Sequence, residues 1–249
     1  MSELKLRPSG SARWLACPAS LKLEELAVVD KTRVNTPAYL GSATHELLET
    51  CLNTGDNPQK YIGEEITIFD EESMELPYTT QVTQTMVDSV QFFLDYVLGT
   101  ELDAPHKVYA EYHMTHSKIK GLEGTADFLR IYDRCADLYD LKNGTSIVQV
   151  RNRKGELNTQ LGCYAGMVFD EFPEVETIDL AIVQPNGKTK KKVRQDVVDR
   201  EEIDALMVRV AAVTGQDHFE MGGHCFWCRA KSICPKQAEA AILREFEEI

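Results

Sequence analysis

The sequence predicts an α/β fold in which a mixed central sheet is flanked by helices. Apolar residues recur at helical spacing near both ends of the chain, and in the middle they alternate with polar residues as in strands. The elements follow one another as helices, a run of strands, a helix, a two-stranded hairpin and a last helix, an order typical of helices packed around one sheet. The chain has 249 residues, enough for one sizeable core.

Two helices are expected in the first hundred residues. Thr36 and Pro37 suit an N-cap and a first helical position, so we predict a helix from Thr36 to about Leu52. From Val82 to Val97 apolar side chains repeat at helical spacing, which predicts a second helix over about 80–98. The polar stretch between the two helices is expected to be a loop.

The rest of the chain supplies the sheet and two more helices. Alternation from Val108 to Met114 predicts a strand, and the turn signal Pro185-Asn186-Gly187 predicts a hairpin. Further strands are expected over 124–131, 137–142, 177–183 and 191–198, and helices over 157–169 and 200–214.

Bulk properties limit the classes of function. The net charge of −13 excludes a protein that coats nucleic acid by overall electrostatic attraction, although a local basic strip is still compatible with it. No apolar run approaches the roughly 18 residues of a membrane-spanning helix, and the first eight residues, MSELKLRP, lack the apolar stretch of a secretory signal. A cytoplasmic protein without disulfides is therefore expected.

Two aspartates and a lysine lie on adjacent predicted strands. If the turn between these strands centres on residues 133 and 134, residue i pairs with residue 267 − i, which places Asp127 opposite Asp140. Two carboxylates that close repel one another unless a cation lies between them. Lys142 points to the same face as Asp140, because side chains two residues apart in a strand share a face. The set can hold a divalent cation and assist chemistry on a phosphoryl group.

Four short motifs, taken in their order along the chain, resemble the PD-(D/E)XK nucleases of the RecB and AddB type, which include the CRISPR-associated RecB-like exonucleases. GTADF at 124–128 and YDLKNG at 139–144 carry the aspartate and the D-x-K strand. QLGCY at 160–164 resembles the Q-x-x-x-Y helix of that family, and GSATHELLE at 41–49 resembles its G-x-x-x-H-x-x-x-E helix.

The resemblance implies a restriction-endonuclease-like core and a role for each motif. His45, Asp127 and Asp140 would hold Mg²⁺ or Mn²⁺, and Lys142 would assist the attacking water. Gln160 and Tyr164 would complete the catalytic set by positioning the nucleic acid. Outside these calls, Glu49 is a candidate to orient His45, and Glu111 is a weaker candidate for the metal site.

The cysteines indicate a second metal site. Cys225, Cys228 and Cys234 fall within ten residues, and Cys17 near the N-terminus is the best fourth thiolate. The resemblance implies that these four hold a 4Fe–4S cluster; a zinc site and free thiols are the alternatives. Trp14 and either Phe226 or Trp227 are expected to cover the cluster. Cys51, Cys135 and Cys163 have no such spacing and are interpreted as small core or surface residues.

Residues 1–249 are interpreted as one nuclease domain, with a cluster-binding cap built from about 9–35 and 215–249. The expected function is metal-dependent DNA hydrolysis by an exonuclease in phage or bacterial recombination, repair or end processing. Expected partners are single-stranded DNA or DNA ends, together with a recombination or single-strand-binding protein, and no membrane. The alternative is a catalytically idle iron–sulfur protein that binds nucleic acid or acts as a scaffold.

One dense basic run, KTKKKVR at 188–194, follows the predicted hairpin turn. It could reach a DNA backbone, or its lysines could protect the edge of the sheet against pairing with another chain. The sequence favours neither interpretation.

Overall fold

A computed structural model describes residues 4–27, 36–69, 77–99 and 105–240. The helices are α1 (Ser11–Ala16), α2 (Ala19–Leu26), α3 (Thr36–Thr54), α4 (Gln84–Leu98), α5 (Thr159–Glu171) and α6 (Arg200–Val213). The strands are β1 (Glu65–Ile68), β2 (Tyr78–Gln81), β3 (His106–Thr115), β4 (Glu123–Tyr132), β5 (Cys135–Leu141), β6 (Thr177–Val183) and β7 (Val193–Asp199). None of the helices in those ranges combines the length and apolar character that crossing a bilayer requires.

Strands β3 to β7 form a five-stranded sheet in chain order, which confirms the predicted mixed α/β class. Neighbouring strands are antiparallel except for β5 and β6, which are parallel and joined through α5. A parallel pair requires such a crossover because the chain must return to the same end of the sheet. The carboxyl ends of β5 and β6 therefore lie at one edge, where the candidate site is found.

Both faces of the sheet are covered, so the fold has three layers. Leu129 and Leu138 belong to the apolar core that contains α5 and α6. The next residues along the same strands, Phe128 and Tyr139, belong to the core that contains α3 and α4. Strands buried on both faces carry long apolar runs, and β6 has the sequence TIDLAIV.

The β4–β5 hairpin has the predicted register. Phe128 pairs with Tyr139 and Tyr132 pairs with Cys135, so the paired residue numbers sum to 267. The turn contains Asp133, whose positive φ of 49° is tolerated by aspartate better than by most residues. This register brings Asp127 and Asp140 to adjacent positions just beyond the last paired residues.

The prediction for residues 53–83 was wrong in two places. The expected loop contains the antiparallel hairpin β1–β2, and the second helix begins at Gln84 rather than near residue 80. Thr83 caps that helix by accepting a hydrogen bond from the Met86 amide. Val82 is buried as its apolar spacing suggested, but its amide donates to Glu64, and it lies in the connection before the helix.

A buried ion pair links the two strands of the β4–β5 hairpin. Arg130 Nε donates to Asp137 Oδ2 at 2.7 Å, and Tyr132 donates to the other carboxylate oxygen at 3.0 Å. Both charged side chains are almost fully buried. Removing one partner leaves an uncompensated buried charge, which costs about 3–5 kcal/mol.

Asp137→Ala should therefore lower the free energy of unfolding by about 3–5 kcal/mol, measured by urea denaturation. The matched control is Glu176→Ala, because Glu176 pairs with Arg134 on the surface and both side chains are more than half exposed. Surface pairs contribute little, so the control should unfold with the wild-type protein. Equal destabilisation by the two variants would contradict this assignment.

Candidate metal site and cysteine cluster

Three potential metal ligands converge from a helix and two strands. His45 Nδ1 lies 3.1 Å from Asp127 Oδ1 and 3.3 Å from Glu111 Oε1. One ligand atom from each of the three residues lies within 4.8 Å of the other two. In the described part of the chain, this is the one group of three or more such residues that meets at metal-binding distance. The site therefore has one imidazole and two carboxylates from α3, β3 and β4.

Glu111 enters this group through an unusual backbone conformation. The register of β3 and β4 places Glu111 opposite Asp127, between the pairs Ala110–Phe128 and Tyr112–Ala126. Its φ of 43° lies in the left-handed region, which costs a residue other than glycine about 1–3 kcal/mol. Strain of this kind persists where the surrounding structure fixes it, and it marks Glu111 as part of the site.

Asp140, Lys142 and Gln160 form a second cluster beside this group. Lys142 Nζ donates to Asp140 Oδ1 at 3.0 Å and to Gln160 Oε1 at 3.2 Å, and Gln160 Nε2 lies 3.3 Å from the same Asp140 oxygen. Asn158 caps the start of α5 and fixes the helical turn that carries Gln160. The structure thus brings together the D-x-K strand and the first residue of the Q-x-x-x-Y helix.

The pKa values of the two aspartates shift in opposite directions. Burial and the charge of Asp127 raise the pKa of Asp140 to about 6, and the Lys142 ammonium opposes this increase. Burial also acts to raise the pKa of Asp127, but the charge and hydrogen bond of His45 lower it below its usual value. Asp127 Oδ2 further accepts the Leu141 amide at 2.6 Å. Asp127 is thus held as the carboxylate, whereas ionised Asp140 is costly without a further cation.

Two cationic side chains partly balance these carboxylates. Burial lowers the pKa of His45, but Asp127 and Glu111 outweigh this effect and hold it well above its usual value. Burial likewise opposes the charge on Lys142, and Asp140 and Asp127 raise its pKa.

Two carboxylate oxygens in the site have hydrogen-bonding capacity that is not used. The buried oxygens Glu111 Oε1 and Asp140 Oδ2 accept no well-formed hydrogen bond, although each faces a cationic nitrogen. Hard divalent cations prefer such carboxylate oxygens, so the donor set fits Mg²⁺ or Mn²⁺.

A polar groove runs beside the site. It has a volume of about 590 Å³, and its lining includes Lys5, Ser9, His113, Thr125 and Tyr164. Gly124 also lines this groove, where a Cβ atom would lie 2.8 Å from Pro8 and 3.0 Å from the Tyr164 ring. Glycine is required there because the N-terminal segment and Tyr164 both approach its backbone closely.

A hydrogen-bonded network behind the site was not predicted. Asn143 Nδ2 donates to Thr44 Oγ1 at 3.0 Å, and Asn186 Nδ2 donates to Asn143 Oδ1 at 2.8 Å and to Ser89 Oγ at 2.9 Å. Thr44 precedes His45 and Asn143 follows Lys142, so the network connects the backbones that carry both site residues. The turn signal at Asn186 was visible in the sequence, but its partners were not.

Glu49 does not orient His45, contrary to the expectation from the helix motif. The structure gives no hydrogen bond between these two side chains, whose residues both lie in the described part of α3. Glu111 and Asp127 occupy that role instead, through the contacts of His45 Nδ1. His45 and Glu49 do lie one turn apart on α3, but the partners of the imidazole come from the sheet.

The four cysteines selected from the sequence line one cavity. They are Cys17, Cys225, Cys228 and Cys234. No three of their sulfur atoms lie within 4.8 Å of one another, although all four residues are in the described ranges. A single tetrahedral zinc ion needs sulfur atoms roughly 3.8 Å apart, given a Zn–S bond of about 2.3 Å. The four thiols therefore line a common cavity together with other residues, and they do not meet at one ion.

The chain segments that carry these cysteines are bound to each other. Glu24 of α2 forms an ion pair with Arg13 at 2.7 Å and accepts the Arg229 amide at 2.8 Å. The Ala19 amide donates to the His218 carbonyl. These contacts hold the N-terminal helices against residues 218–229.

The aromatic residues near the cysteines differ from the expectation. Trp14 is buried in the main core, and its indole nitrogen donates to the Arg7 carbonyl. Phe226 and Trp227 are 67% and 74% exposed and pack edge to face on each other. None of the three lines the cysteine cavity. Of the other cysteines, Cys51 and Cys163 are buried in the core and Cys135 is half-buried.

Comparisons with other proteins place the chain in a family. A family model described as "Protein of unknown function (DUF2800)" matches residues 4–248. No curated protein matches the sequence significantly. The crystal structure of SSO0001 aligns at 13% identity and a TM-score of 0.37, covering 94% of this chain and 88% of the other. A proposed exonuclease from Eubacterium rectale aligns at 13% identity and a TM-score of 0.42, covering 86% of this chain and 82% of the other.

Proposed function

The chain belongs to the family described as proteins of unknown function, DUF2800, and we propose that it is a metal-dependent DNA nuclease of the PD-(D/E)XK type. One observation carries the proposal: the His45–Glu111–Asp127 group lies beside Asp140, whose carboxylate is bound by Lys142. A divalent-cation site next to a buried lysine suits hydrolysis of a phosphodiester, in which negative charge builds up on oxygen.

The metal residues of the proposed enzyme are His45, Glu111, Asp127 and Asp140. A bound Mg²⁺ or Mn²⁺ would lower the pKa of a water molecule and polarise a phosphoryl oxygen. The raised pKa of His45 in the metal-free protein means that the imidazole must lose its proton before Nδ1 can act as a ligand. Glu111 enlarges the ligand set inferred from the family resemblance.

Lys142 is the residue that would act on the substrate. Asp140 and Gln160 hold its ammonium group at 3.0 and 3.2 Å, so its position is fixed before any substrate binds. Before a metal binds, the carboxylates of Asp140 and Asp127 raise its pKa and keep the proton on Nζ. We assign Lys142 as a hydrogen-bond donor that stabilises charge on the phosphoryl oxygens, because Asp140 and Gln160 orient its ammonium group.

The groove beside the site supports a polymeric substrate. Its polar lining includes His113 and Lys5, which forms an ion pair with Glu123 of the same groove at 3.0 Å, and it extends the site past Tyr164 towards the N-terminal segment. Phosphate contacts from such side chains position a strand without reading its sequence. The family resemblance favours DNA over RNA and removal of nucleotides from an end over internal cleavage.

We further propose that the four cysteines bind a 4Fe–4S cluster. Cysteine thiolates are the usual ligands of such a cluster, and these four surround one cavity without converging on a single point. The cluster would join the two ends of the chain in a cap built from about 9–35 and 215–249, of which residues 28–35 and 241–249 lie outside the described residues.

The activity test uses anaerobically purified protein and end-labelled DNA. Single- and double-stranded substrates are incubated with Mn²⁺ and, separately, with a chelator. We expect shortened DNA products with Mn²⁺ and none with the chelator. Binding of DNA without cleavage under every metal condition would favour the catalytically idle alternative.

The ligand role of Glu111 can be tested with Glu111→Gln. Loss of a group that merely orients a ligand costs about 10–100-fold in metal affinity, so loss of a ligand should cost at least as much. We expect the Mn²⁺ concentration for half-maximal cleavage to rise by at least about tenfold, with a matching loss of affinity in calorimetry. Glu49→Gln is the matched control, with the same charge change on α3. A Glu111→Gln protein with the wild-type Mn²⁺ requirement would remove Glu111 from the ligand set.

A further inference from the structure

The loop between β6 and β7 presents three lysines to solvent. Lys188, Lys190 and Lys191 are exposed. None of the three forms an ion pair with any residue that the structure describes, although the chain contains 40 acidic residues and has a net charge of −13. A concentrated and unneutralised positive charge on such an acidic protein attracts a polyanion locally.

Protection of the sheet edge does not explain these lysines. Strand β7 is an edge strand, and an edge is protected by charged side chains within the strand itself. The three lysines precede β7, which begins at Val193. The one basic residue of β7, Arg194, is buried. The first of the two interpretations, a contact with a nucleic-acid backbone, is therefore the one compatible with their position.

The loop between β6 and β7, which carries the three lysines, lies at the same end of the strands as the candidate site. The loop follows β6, whose carboxyl end is aligned with that of β5 through the bond from the Lys142 amide to the Val183 carbonyl, 2.9 Å. Asn186 in the loop donates to both the side chain and the carbonyl of Asn143, the residue after Lys142. Asn186 therefore contacts the segment that carries Lys142, and the three exposed lysines follow Asn186 within five residues.

Internal hydrogen bonds hold the loop in one conformation. Buried Gln184 donates to the carbonyls of Gly144 and Ser146 at 2.8 and 2.7 Å, and it accepts from Arg194 at 3.2 Å. Arg194 also donates to Thr189 Oγ1 at 2.7 Å, within the loop itself. Because these bonds fix the backbone of the loop, binding a ligand has to order only the lysine side chains.

We propose that Lys188, Lys190 and Lys191 form a clamp for backbone phosphates of the nucleic-acid strand next to the phosphodiester that is cleaved. The proposal rests on the proposed nuclease function and adds the surface that holds the substrate. The clamp recognises phosphates and no bases, so it binds a strand of any sequence.

The test compares two triple variants with the same change in charge. The clamp variant is Lys188→Gln/Lys190→Gln/Lys191→Gln. The control is Lys22→Gln/Lys107→Gln/Lys154→Gln, three exposed lysines in α2, in β3 and in a turn before α5. Binding of a short, labelled single-stranded DNA is measured by anisotropy in chelator, so that no cleavage occurs, over a series of salt concentrations. Cleavage with Mn²⁺ is measured in parallel.

The clamp variant should bind roughly tenfold more weakly than the wild type at moderate salt. Each lost phosphate contact reduces the slope of log affinity against log salt by about 0.7 for a single strand, so three lost contacts should reduce it by about 2. The control should bind like the wild type. In cleavage, the clamp variant should show a raised KM and a nearly unchanged kcat.

The outcomes separate this proposal from the proposed function. If the wild type cleaves DNA and the clamp variant binds with unchanged affinity and salt slope, the clamp is wrong and the nuclease stands. Equal weakening in the control and the clamp variant would also overturn it, because total charge would then explain the loss. If the wild type never cleaves, but the clamp variant alone loses affinity and salt slope, the clamp is supported and the nuclease fails.

Discussion

Replacing Lys142 by alanine should reduce kcat for DNA cleavage by at least about 10²–10³-fold, the usual cost of removing one preorganised donor from a site where charge develops. Asp140 and Gln160 fix the Lys142 ammonium, so its donor position is set before a substrate binds and is lost in the variant. Single-turnover cleavage at saturating Mn²⁺ measures the chemical step directly. Lys107→Ala, at an exposed position near the opposite end of the sheet, is the control and should cleave like the wild type.

Lys142→Arg distinguishes the two chemical roles that a lysine can have here. Arginine keeps the positive charge but cannot be deprotonated in a protein. If Lys142 stabilises charge, as we propose, the arginine variant should retain more activity than the alanine variant. If Lys142 acts as the base, the two variants should be equally inactive. Cleavage by Lys142→Ala at the wild-type rate would overturn the assignment of the active site.

Asp140 offers a check that such losses come from chemistry and not from unfolding. Its pKa is raised by burial to about 6, so without metal its ionisation weakens the folded state as pH rises from the ordinary pKa near 3.8 through about 6. Asp140→Asn removes that unfavourable charge. In chelator above pH 6 the variant should melt at or above the wild-type temperature while lacking metal-dependent cleavage.

The sequence alone was sufficient to predict contacts between residues that are related by the local geometry of a turn, strand or helix. The turn at Asp133 fixes the hairpin register, and the register alone brings Asp127 beside Asp140. In this hairpin the partners are close in the chain and the spacing of the strands relates them. The helix predicted over 157–169 was found as Thr159–Glu171, and its start was missed by two residues because the capping role of Asn158 was not predicted.

The remaining parts of the site depend on contacts between distant segments. Glu111 was a weaker candidate because a strand glutamate is usually solvated, and its positive φ is a property of the folded sheet. The Thr44–Asn143–Asn186 network joins α3, the end of β5 and the β6–β7 loop. Each of these polar residues is ordinary in its own segment, and no periodicity relates one segment to another.

Cys17→Ser should remove the proposed cluster and strongly destabilise the protein, although Cys17 is not part of the candidate active site around His45, Asp127 and Lys142. A cluster that joins Cys17 to Cys225 closes a loop of 225 − 17 = 208 residues. Cross-linking a loop longer than about 100 residues contributes on the order of 4–5 kcal/mol in the chain-entropy treatment. The melting temperature of the anaerobically purified variant should fall well below that of the wild type, and its soluble yield should fall with it.

Metal content distinguishes loss of the cluster from a simple packing defect. The wild type should contain about four iron atoms and four acid-labile sulfides per chain, and Cys17→Ser should lose most of both. The control is Cys51→Ala, because Cys51 is a buried core thiol away from the cysteine cavity. This variant should lose some stability through packing but keep its iron. A Cys17→Ser protein with full iron content and the wild-type melting temperature would place the fourth ligand elsewhere. One zinc ion per wild-type chain, without iron, would replace the cluster by a zinc site.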